Sequence, residues 1–184
     1  MSRGGEARPA DVDDAFTRGG HRIRPIDPRS TSEVEIVARR MRRTLVEVLG
    51  EEEGTALYTM EWLRQRVLWH LDPEKSTAQV FLSEDGHGHV TGHTIVRVER
   101  EEDGRPFGLF STTFVEPESR RLAIATHLLR RGEAWMIERG MPRAATDTAS
   151  NNVKLIGLYE KHGYSIVLSV EGMVRLAKEL KPAP

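Results

Sequence analysis

A strand that passes through a proline-containing turn into a helix constrains the fold more than any other feature of this sequence. The segment is F-V-E-P-E-S-R-R-L-A-I-A-T-H-L-L, residues 114–129. The first turn of a helix has N–H groups without intrahelical acceptors and lies at the positive end of the helix dipole. Ala123 and Ala125 keep side-chain bulk away from those groups, so an anion such as a pyrophosphate can approach. A plain strand-turn-helix with solvated arginines fits these residues equally well, and a second segment is needed to decide.

The order of strand and helix patterns predicts an α+β fold. Turn sequences at Asp85-Gly86 and Asp103-Gly104 separate three strand-like runs and indicate an antiparallel meander. The helices between later strands require some parallel pairing. The predicted order is β-α-α-β-β-β-α-β-α-β-β. Its first helix follows D-P-R-S-T-S-E and is ended by Gly50. The second spans roughly residues 51–71, the third spans residues 120–139, and the last begins near Asn151. Two strands around Glu171-Gly172 close the chain.

Length and composition favour one domain. The chain has 184 residues, which suits a single domain with one core over residues 21–184. Residues 1–20 contain few apolar side chains to bury, so they are predicted to form a disordered leader. Twenty-seven Lys and Arg balance 28 Asp and Glu, which argues against nucleic acid as a partner. Cysteine is absent, so cysteine nucleophiles and thiolate metal sites are excluded. No apolar run resembles a signal peptide or a membrane span, so a cytoplasmic location without membrane contact is expected.

The second informative segment is N-N-V-K-L-I-G-L-Y-E-K-H-G-Y, residues 151–164. An asparagine suits the N-cap of an amphipathic helix, and Gly163 suits its C-terminal end. Tyr159 lies two turns into the helix. By itself such a tyrosine is more often a core residue that packs helix against sheet.

Together the two segments resemble the GNAT family of N-acetyltransferases. The family signature (Q/R)-x-x-G-x-(G/A) reads R-R-L-A-I-A here, residues 120–125, and follows V-E-P-E. The pattern N-x-x-A-x-x-L-Y-x-x-x-G-(F/Y) is matched by Asn152, Leu155 in the alanine place, Leu158, Tyr159, Gly163 and Tyr164. Ala123 replaces the usual first glycine, which alanine can do without strain if the backbone there is already helical.

The resemblance implies a fold, a cosubstrate and a reaction. It implies a GNAT-like mixed, mostly antiparallel central sheet flanked by helices, and transfer of an acetyl group from acetyl-CoA to a primary amine by direct attack in a ternary complex. A small-molecule or peptide amine is then the acceptor, no metal is needed, and a homodimer is left open. The implied CoA-binding residues are Phe114, Val115, Arg120, Arg121, Leu122, Ala123, Ile124, Ala125, Thr126, Asn152 and Tyr159.

Tyr159 is the predicted general acid, because a phenol with a pKa near about 10 can protonate a departing thiolate whose thiol has a pKa near about 8.5. In the family a backbone N–H of the fourth strand binds the acetyl oxygen, which points to Phe114 and Val115. Asp147 on the fifth strand is the first candidate for the base that deprotonates the amine. Glu99, Glu61, His93 and a water chain remain alternatives.

Several other features have a simpler interpretation. His87, His89 and His93 are separated by even numbers of residues, so they would lie on one face of a strand. No cysteine or well-spaced carboxylate completes a metal site there. Tyr58, Trp62 and Trp69 line an acceptor pocket or simply fill the core. The pairs Arg39-Arg40 and Arg42-Arg43 are predicted to form a solvated helix face.

Two other functions stay open beside the acetyltransferase. A non-catalytic CoA-binding regulatory module is favoured by Ala123, whereas the retained Tyr159 favours the enzyme. A nucleic-acid-binding protein is opposed by the balanced charge. The sequence does not identify the acceptor amine.

Overall fold

A seven-stranded mixed sheet organises the computed structural model, which describes residues 20–181. The strand order is β1-β2-β3-β4-β5-β7-β6. The strands are β1 Arg22–Pro25, β2 Ala78–Glu84, β3 Val90–Arg100, β4 Pro106–Val115, β5 Arg143–Ala149, β6 Ser165–Val170 and β7 Met173–Glu179. Neighbouring strands are antiparallel except β4 and β5, which are parallel. The predicted α+β class is confirmed, whereas the predicted leader lies outside the described residues apart from Gly20.

The helices cover both faces of the sheet. They are α1 Thr31–Leu49, α2 Glu51–Ala56, α3 Met60–Leu71, α4 Ile124–Glu138 and α5 Val153–Lys161, with a 3-10 turn at Pro117–Ser119. One core cluster joins α1 and α3 to β2 and β3, and includes Val37, Val67 and Ile95. Another joins α4 and α5 to the opposite face, and includes Leu128 and Tyr159. Apolar residues at helical spacing form these faces, as the sequence predicts.

The second predicted helix, residues 51–71, is broken into α2 and α3. Thr59 ends the break, because its hydroxyl accepts a hydrogen bond from the Trp62 N–H at 3.0 Å and so caps α3. Gly54 explains the turn of α2 against α1, since a Cβ there would lie 2.6 Å from backbone atoms of Val46. The prediction of one continuous helix was therefore wrong, because the chain bends at residues 57–58 and Thr59 begins a new helix.

The third predicted helix begins later than expected. It starts at Ile124 rather than at residue 120, and Ala123 is its N-cap with φ 60° and ψ 11°, in the left-handed region. Arg121 also has a positive φ, 69°. The residues between the 3-10 turn and α4 are therefore not helical, and the prediction that Ala123 is helical was wrong.

Candidate active site

Strands β4 and β5 separate partway along their length. Their parallel pairing runs from Gly108 opposite Ala144 to Phe110 opposite Thr146. Beyond Phe110 and Thr146 the two strands continue, but they are no longer paired with each other. At the same point the register between β3 and β4 shifts between Ile95 and Val96, which leaves Ser111 as an extra residue on β4. The sheet therefore opens into a V between β4 and β5.

A cleft of about 890 Å³ occupies this opening. One wall is formed by α1 and α3, the floor by β4 and β5, and the other end by the N-termini of α4 and α5. Its lining includes these predicted site residues: Phe114, Val115, Arg120, Ala125, Asp147, Asn152 and Tyr159. Residues from distant parts of the sequence thus meet at one opening.

Tyr159 lies at the bottom of the cleft, with 1% of its surface exposed. Its ring packs edge-on against Phe110 and Tyr164, with centroids 5.6 and 4.9 Å away. Burial raises the pKa of the Tyr159 hydroxyl, and its hydrogen bonds with the side chains of Thr113 on β4 and Thr146 on β5 oppose that rise. The phenol is therefore protonated at neutral pH, and it bridges the two strands where they separate.

The ends of α5 hold Tyr159 in place. Asn152 caps the helix, since its Oδ1 accepts from the Leu155 N–H at 3.4 Å, and its Nδ2 donates to the Thr148 hydroxyl at 3.0 Å. At the other end Gly163 has φ 86°, which lets the chain reverse so that Tyr164 returns to the Tyr159 ring. The Tyr164 hydroxyl donates to Glu133 on α4 at 2.9 Å.

The N-terminus of α4 offers free backbone donors at one end of the cleft. The first helical hydrogen bond runs from the His127 N–H to the Ala123 carbonyl at 3.0 Å. The N–H groups of residues 124–126 therefore have no intrahelical acceptor. The Thr126 hydroxyl lies 3.1 Å from Nε2 of His162 at the end of α5, while the side chains of Arg121 and Leu122 are exposed. Three adjacent N–H groups at a helix N-terminus suit an anion.

Arg120 ties the loop before α4 to its surroundings. Its Nε donates to the Val115 carbonyl at 3.0 Å, and its Nη2 donates to Glu47 of α1 at 2.9 Å. The side chain therefore closes one edge of the cleft and joins α1 to the end of β4.

The prediction that the arginine pairs of α1 form a solvated face was wrong for Arg40 and Arg42, whereas Arg39 and Arg43 are exposed. Arg40 is only 5% exposed, and its Nε donates to Glu116 at 2.9 Å. Arg43 donates to the other oxygen of Glu116 at 2.6 Å, and Arg42 donates to the Tyr58 carbonyl. Only Arg39 is largely solvated, with 72% of its side chain exposed. Because Glu116 directly follows β4, these contacts fix the end of that strand.

The register of β4 shows which of its N–H groups point into the opening. The Glu116 N–H donates to the Thr91 carbonyl at 2.9 Å. Hydrogen-bonded and non-hydrogen-bonded pairs alternate along an antiparallel ladder, so Phe114 opposite His93 points its N–H at β3. The N–H groups of Thr113 and Val115 point away from β3, towards the separated β5. The predicted donor at Phe114 is thus engaged in the sheet, and Val115 retains a free direction.

The candidate bases differ in position. Asp147 lines the cleft and accepts two hydrogen bonds from Arg175, at 2.7 and 2.8 Å. Glu99 pairs with Arg97 at 2.7 Å, and Glu61 is 69% exposed beside Arg64. His93 is fully buried, and burial together with the Arg40 charge lowers its pKa to about 3. Of these four, only Asp147 is a cleft residue.

Sequence reasoning missed several cleft residues. Thr113 and Thr146, which contact the Tyr159 hydroxyl, carry no motif. Trp62, Arg66 and His70 lie four residues apart on α3, so they share the face that lines the cleft together with Tyr58. That spacing was a usable signal for Arg66 and His70. The rings of Tyr58 and Trp62 stack at 3.9 Å on this wall, whereas Trp69 packs beside His70.

No group of three or more His, Cys, Asp and Glu side chains within residues 20–181 is placed to hold a metal ion. None of the helices described is both long and apolar enough to cross a membrane.

Comparisons with known proteins agree with this architecture. The sequence profile of the acetyltransferase (GNAT) family matches residues 39–164. A comparison with curated protein sequences gives no match.

Solved structures share the fold at low sequence identity. The PaiA N-acetyltransferase of Thermoplasma acidophilum, in complex with coenzyme A, has a TM-score of 0.68 and 15% identity over 86% of this chain and 98% of that chain. A chain of the NatC complex bound to Gag peptide and CoA has a TM-score of 0.66 and 15% identity over 88% and 99%. A GNAT acetyltransferase of Streptococcus pneumoniae has a TM-score of 0.64 and 17% identity over 88% and 99%.

Proposed function

The chain belongs to the acetyltransferase (GNAT) family, and from that premise we propose that it transfers the acetyl group of acetyl-CoA to a primary amine. The amine attacks the thioester directly while both substrates are bound. The observation that carries the proposal is the position of the Tyr159 hydroxyl, between Thr113 and Thr146 at the point where β4 and β5 separate. The absence of cysteine excludes an acetyl-cysteine intermediate.

The residues present fit acetyl-CoA as cosubstrate. The free N–H groups of residues 124–126 and the small side chain of Ala125 suit its pyrophosphate. The edge of β4 exposed by the separation of the strands suits the pantetheine arm, whose amides can pair with a strand edge. The Asn152 side chain is used for capping and for Thr148, so we assign it to holding α5 rather than to a direct contact with the cosubstrate.

We assign stabilisation of the acetyl oxygen to the backbone of β4. Negative charge develops on that oxygen when the amine attacks, and a fixed N–H group directed at it lowers the barrier. Thr113 and Val115 point their N–H groups into the opening, whereas Phe114 points its N–H at β3. Phe114 instead packs beneath the Arg43 guanidinium, 5.0 Å from its ring centre.

Tyr159 then protonates the departing sulfur. The C–N bond forms, the C–S bond breaks, and the nitrogen of the new amide releases its extra proton to solvent. The thiolate takes the phenolic proton, which solvent later restores. Because burial raises the pKa of Tyr159, the phenol is protonated at neutral pH, but it is a weak acid for this step. Proton transfer therefore follows a hydrogen bond that strengthens as charge builds on sulfur.

Asp147 is the proposed acceptor of the proton that the ammonium form of the acceptor must lose. The two hydrogen bonds from Arg175 orient the carboxylate at the cleft. An intervening water can complete the path to the amine.

Two measurements test the proposal. Acetyl-CoA at about a hundred times its dissociation constant should stabilise the protein by roughly 2.7 kcal/mol, which thermal melts detect. Acetylation of an amine panel should release free thiol in step with product. The absence of a melting shift at millimolar acetyl-CoA would exclude the cosubstrate.

The Tyr159→Phe variant tests the general acid. The ring and its contacts remain, so folding and acetyl-CoA affinity should be retained while turnover falls about a hundredfold. The loss should shrink at high pH, where the thiolate needs less help. Equal turnover of both proteins at every pH, with chemistry rate-limiting, would reduce Tyr159 to a packing residue.

The competing function is a CoA-binding module without turnover. Ala123 favours it, because a side chain in the left-handed region stands where glycine would let a ligand approach more closely. Acetyl-CoA binding without acetylation of any amine would support the module, and thiol release that depends on an amine would exclude it.

A further inference from the structure

The end of the cleft opposite α4 carries more positive than negative charge. Arg66 of α3 and Arg97 of β3 both line it. Burial lowers the pKa of Arg97, the Glu99 and Asp147 charges oppose that shift, and the Arg66 charge adds to it. Two guanidinium groups therefore face the same space from two different elements.

The carboxylates nearby do not balance these charges. Glu99 pairs with Arg97 at 2.7 Å, and Asp147 is paired with Arg175. Within residues 20–181, Arg66 forms no ion pair or hydrogen bond, and its guanidinium lies 4.3 Å from the ring centre of Trp69. The Arg66 guanidinium therefore has no carboxylate partner among the described residues, and its stacking on Trp69 orients its N–H donors.

A buried polar atom lies beside the two arginines. His70 is 2% exposed and lines the cleft, and its Nδ1 has no hydrogen-bond partner among the described residues. Burial and the charges of Arg66 and Arg97 lower the pKa of His70 to about 3, so the imidazole is neutral. A neutral imidazole can donate one hydrogen bond to an anion without adding charge.

We propose that Arg66, Arg97 and His70 bind a carboxylate of the acceptor, so that the substrate is an amine that also carries a carboxylate. Arginine suits this role because its planar fork matches the two carboxylate oxygens. The stacked Tyr58 and Trp62 provide an apolar wall on the same face of α3 for the rest of the acceptor. This inference rests on the proposed function for the identity of the reaction, but not for the binding of the carboxylate.

Matched acceptors test the inference. Glycine, β-alanine, 4-aminobutyrate and 5-aminopentanoate are each compared with the corresponding primary amide, which has the same size and amine but no carboxylate. At least one carboxylate should have a kcat/KM about tenfold or more above that of its amide, because hydrogen bonds to charged groups are among the stronger polar contacts.

Variants assign the preference to Arg66. Arg66→Gln should lower the carboxylate-to-amide ratio of kcat/KM by about tenfold, with the loss in the KM of the carboxylate. Arg66→Lys, which keeps the charge, should retain part of the preference. Arg29→Gln is the matched control, since it removes the same charge from a side chain that is 93% exposed and lies outside the cleft lining. Equal kcat/KM within every pair, or a preference that survives in Arg66→Gln, would overturn the inference and leave the acetyltransferase standing.

Binding separates the two proposals if no amine is acetylated. The same carboxylates and amides are then added to the CoA-saturated protein, and melting temperatures are compared. Stabilisation by a carboxylate but not by its amide, lost in Arg66→Gln, would support the anion site although the proposed reaction fails. The absence of stabilisation by any carboxylate would overturn the inference.

Discussion

Replacing Ala123 with glycine should not destabilise the protein, although the residue lies next to a helix. Ala123 is the N-cap of α4 with φ 60°, and this region favours glycine. A helical alanine at the same position would give the opposite result, because glycine is unfavourable within a helix. The sign of the effect therefore reports the backbone conformation.

The magnitude follows from three contributions. Relief of the left-handed conformation is worth about 1 kcal/mol. The greater freedom of glycine in the unfolded chain costs about 0.4–1 kcal/mol. Ala123 is exposed, so losing its methyl group removes little buried surface. The free energy of unfolding should thus change by about 0 to +0.6 kcal/mol.

Ala125→Gly is the matched control, because Ala125 lies inside the first turn of α4 and packs against the core. That variant should lose about 1 kcal/mol or more. Urea unfolding of the two variants and the parent protein measures the difference. Isothermal titration with CoA should show an affinity of Ala123→Gly that is equal or higher, since the loop backbone becomes more accessible. Equal destabilisation of both variants would refute the left-handed assignment.

Two further predictions concern the anion site and the buried histidines. Ala125→Glu should abolish CoA binding, because it places a larger side chain and a negative charge at the free N–H groups of α4. Unchanged CoA affinity in a folded variant would show that the pyrophosphate does not bind at the N-terminus of α4. In the folded protein the pKa of His93 is lowered to about 3, whereas in the unfolded chain it has the ordinary histidine value of about 6.5. Between these two values only the unfolded chain binds the proton. The folded state therefore loses stability as the pH falls through that interval. His93→Leu should reduce the slope of unfolding free energy against pH by about 1.4 kcal/mol per pH unit between pH ~4 and ~6, whereas His87→Asn, at an exposed turn, should leave that slope unchanged. Urea unfolding at a series of pH values measures both slopes. Equal slopes in the parent and His93→Leu would show that His93 is protonated in the folded protein.

Local chemistry determined the elements that could be predicted from the sequence. The turns at Asp85-Gly86 and Asp103-Gly104 set the meander, Gly50 ends α1, and Asn152 and Gly163 set the two ends of α5. Each of these signals acts within a few residues of the backbone that it shapes. The two motifs, at residues 120–125 and 151–164, likewise contain residues that line the cleft.

Contacts between distant residues decided the rest. The burial of Arg40 depends on Glu116, which lies 76 residues away in the chain. The left-handed Ala123 follows from how the loop must connect β4 to α4. The outward N–H groups of Thr113 and Val115 depend on the register with β3, and the unpaired Arg66 in the cleft depends on which carboxylates the fold brings near it. No local pattern encodes these facts, because register, burial and charge balance are set only when separate elements pack together.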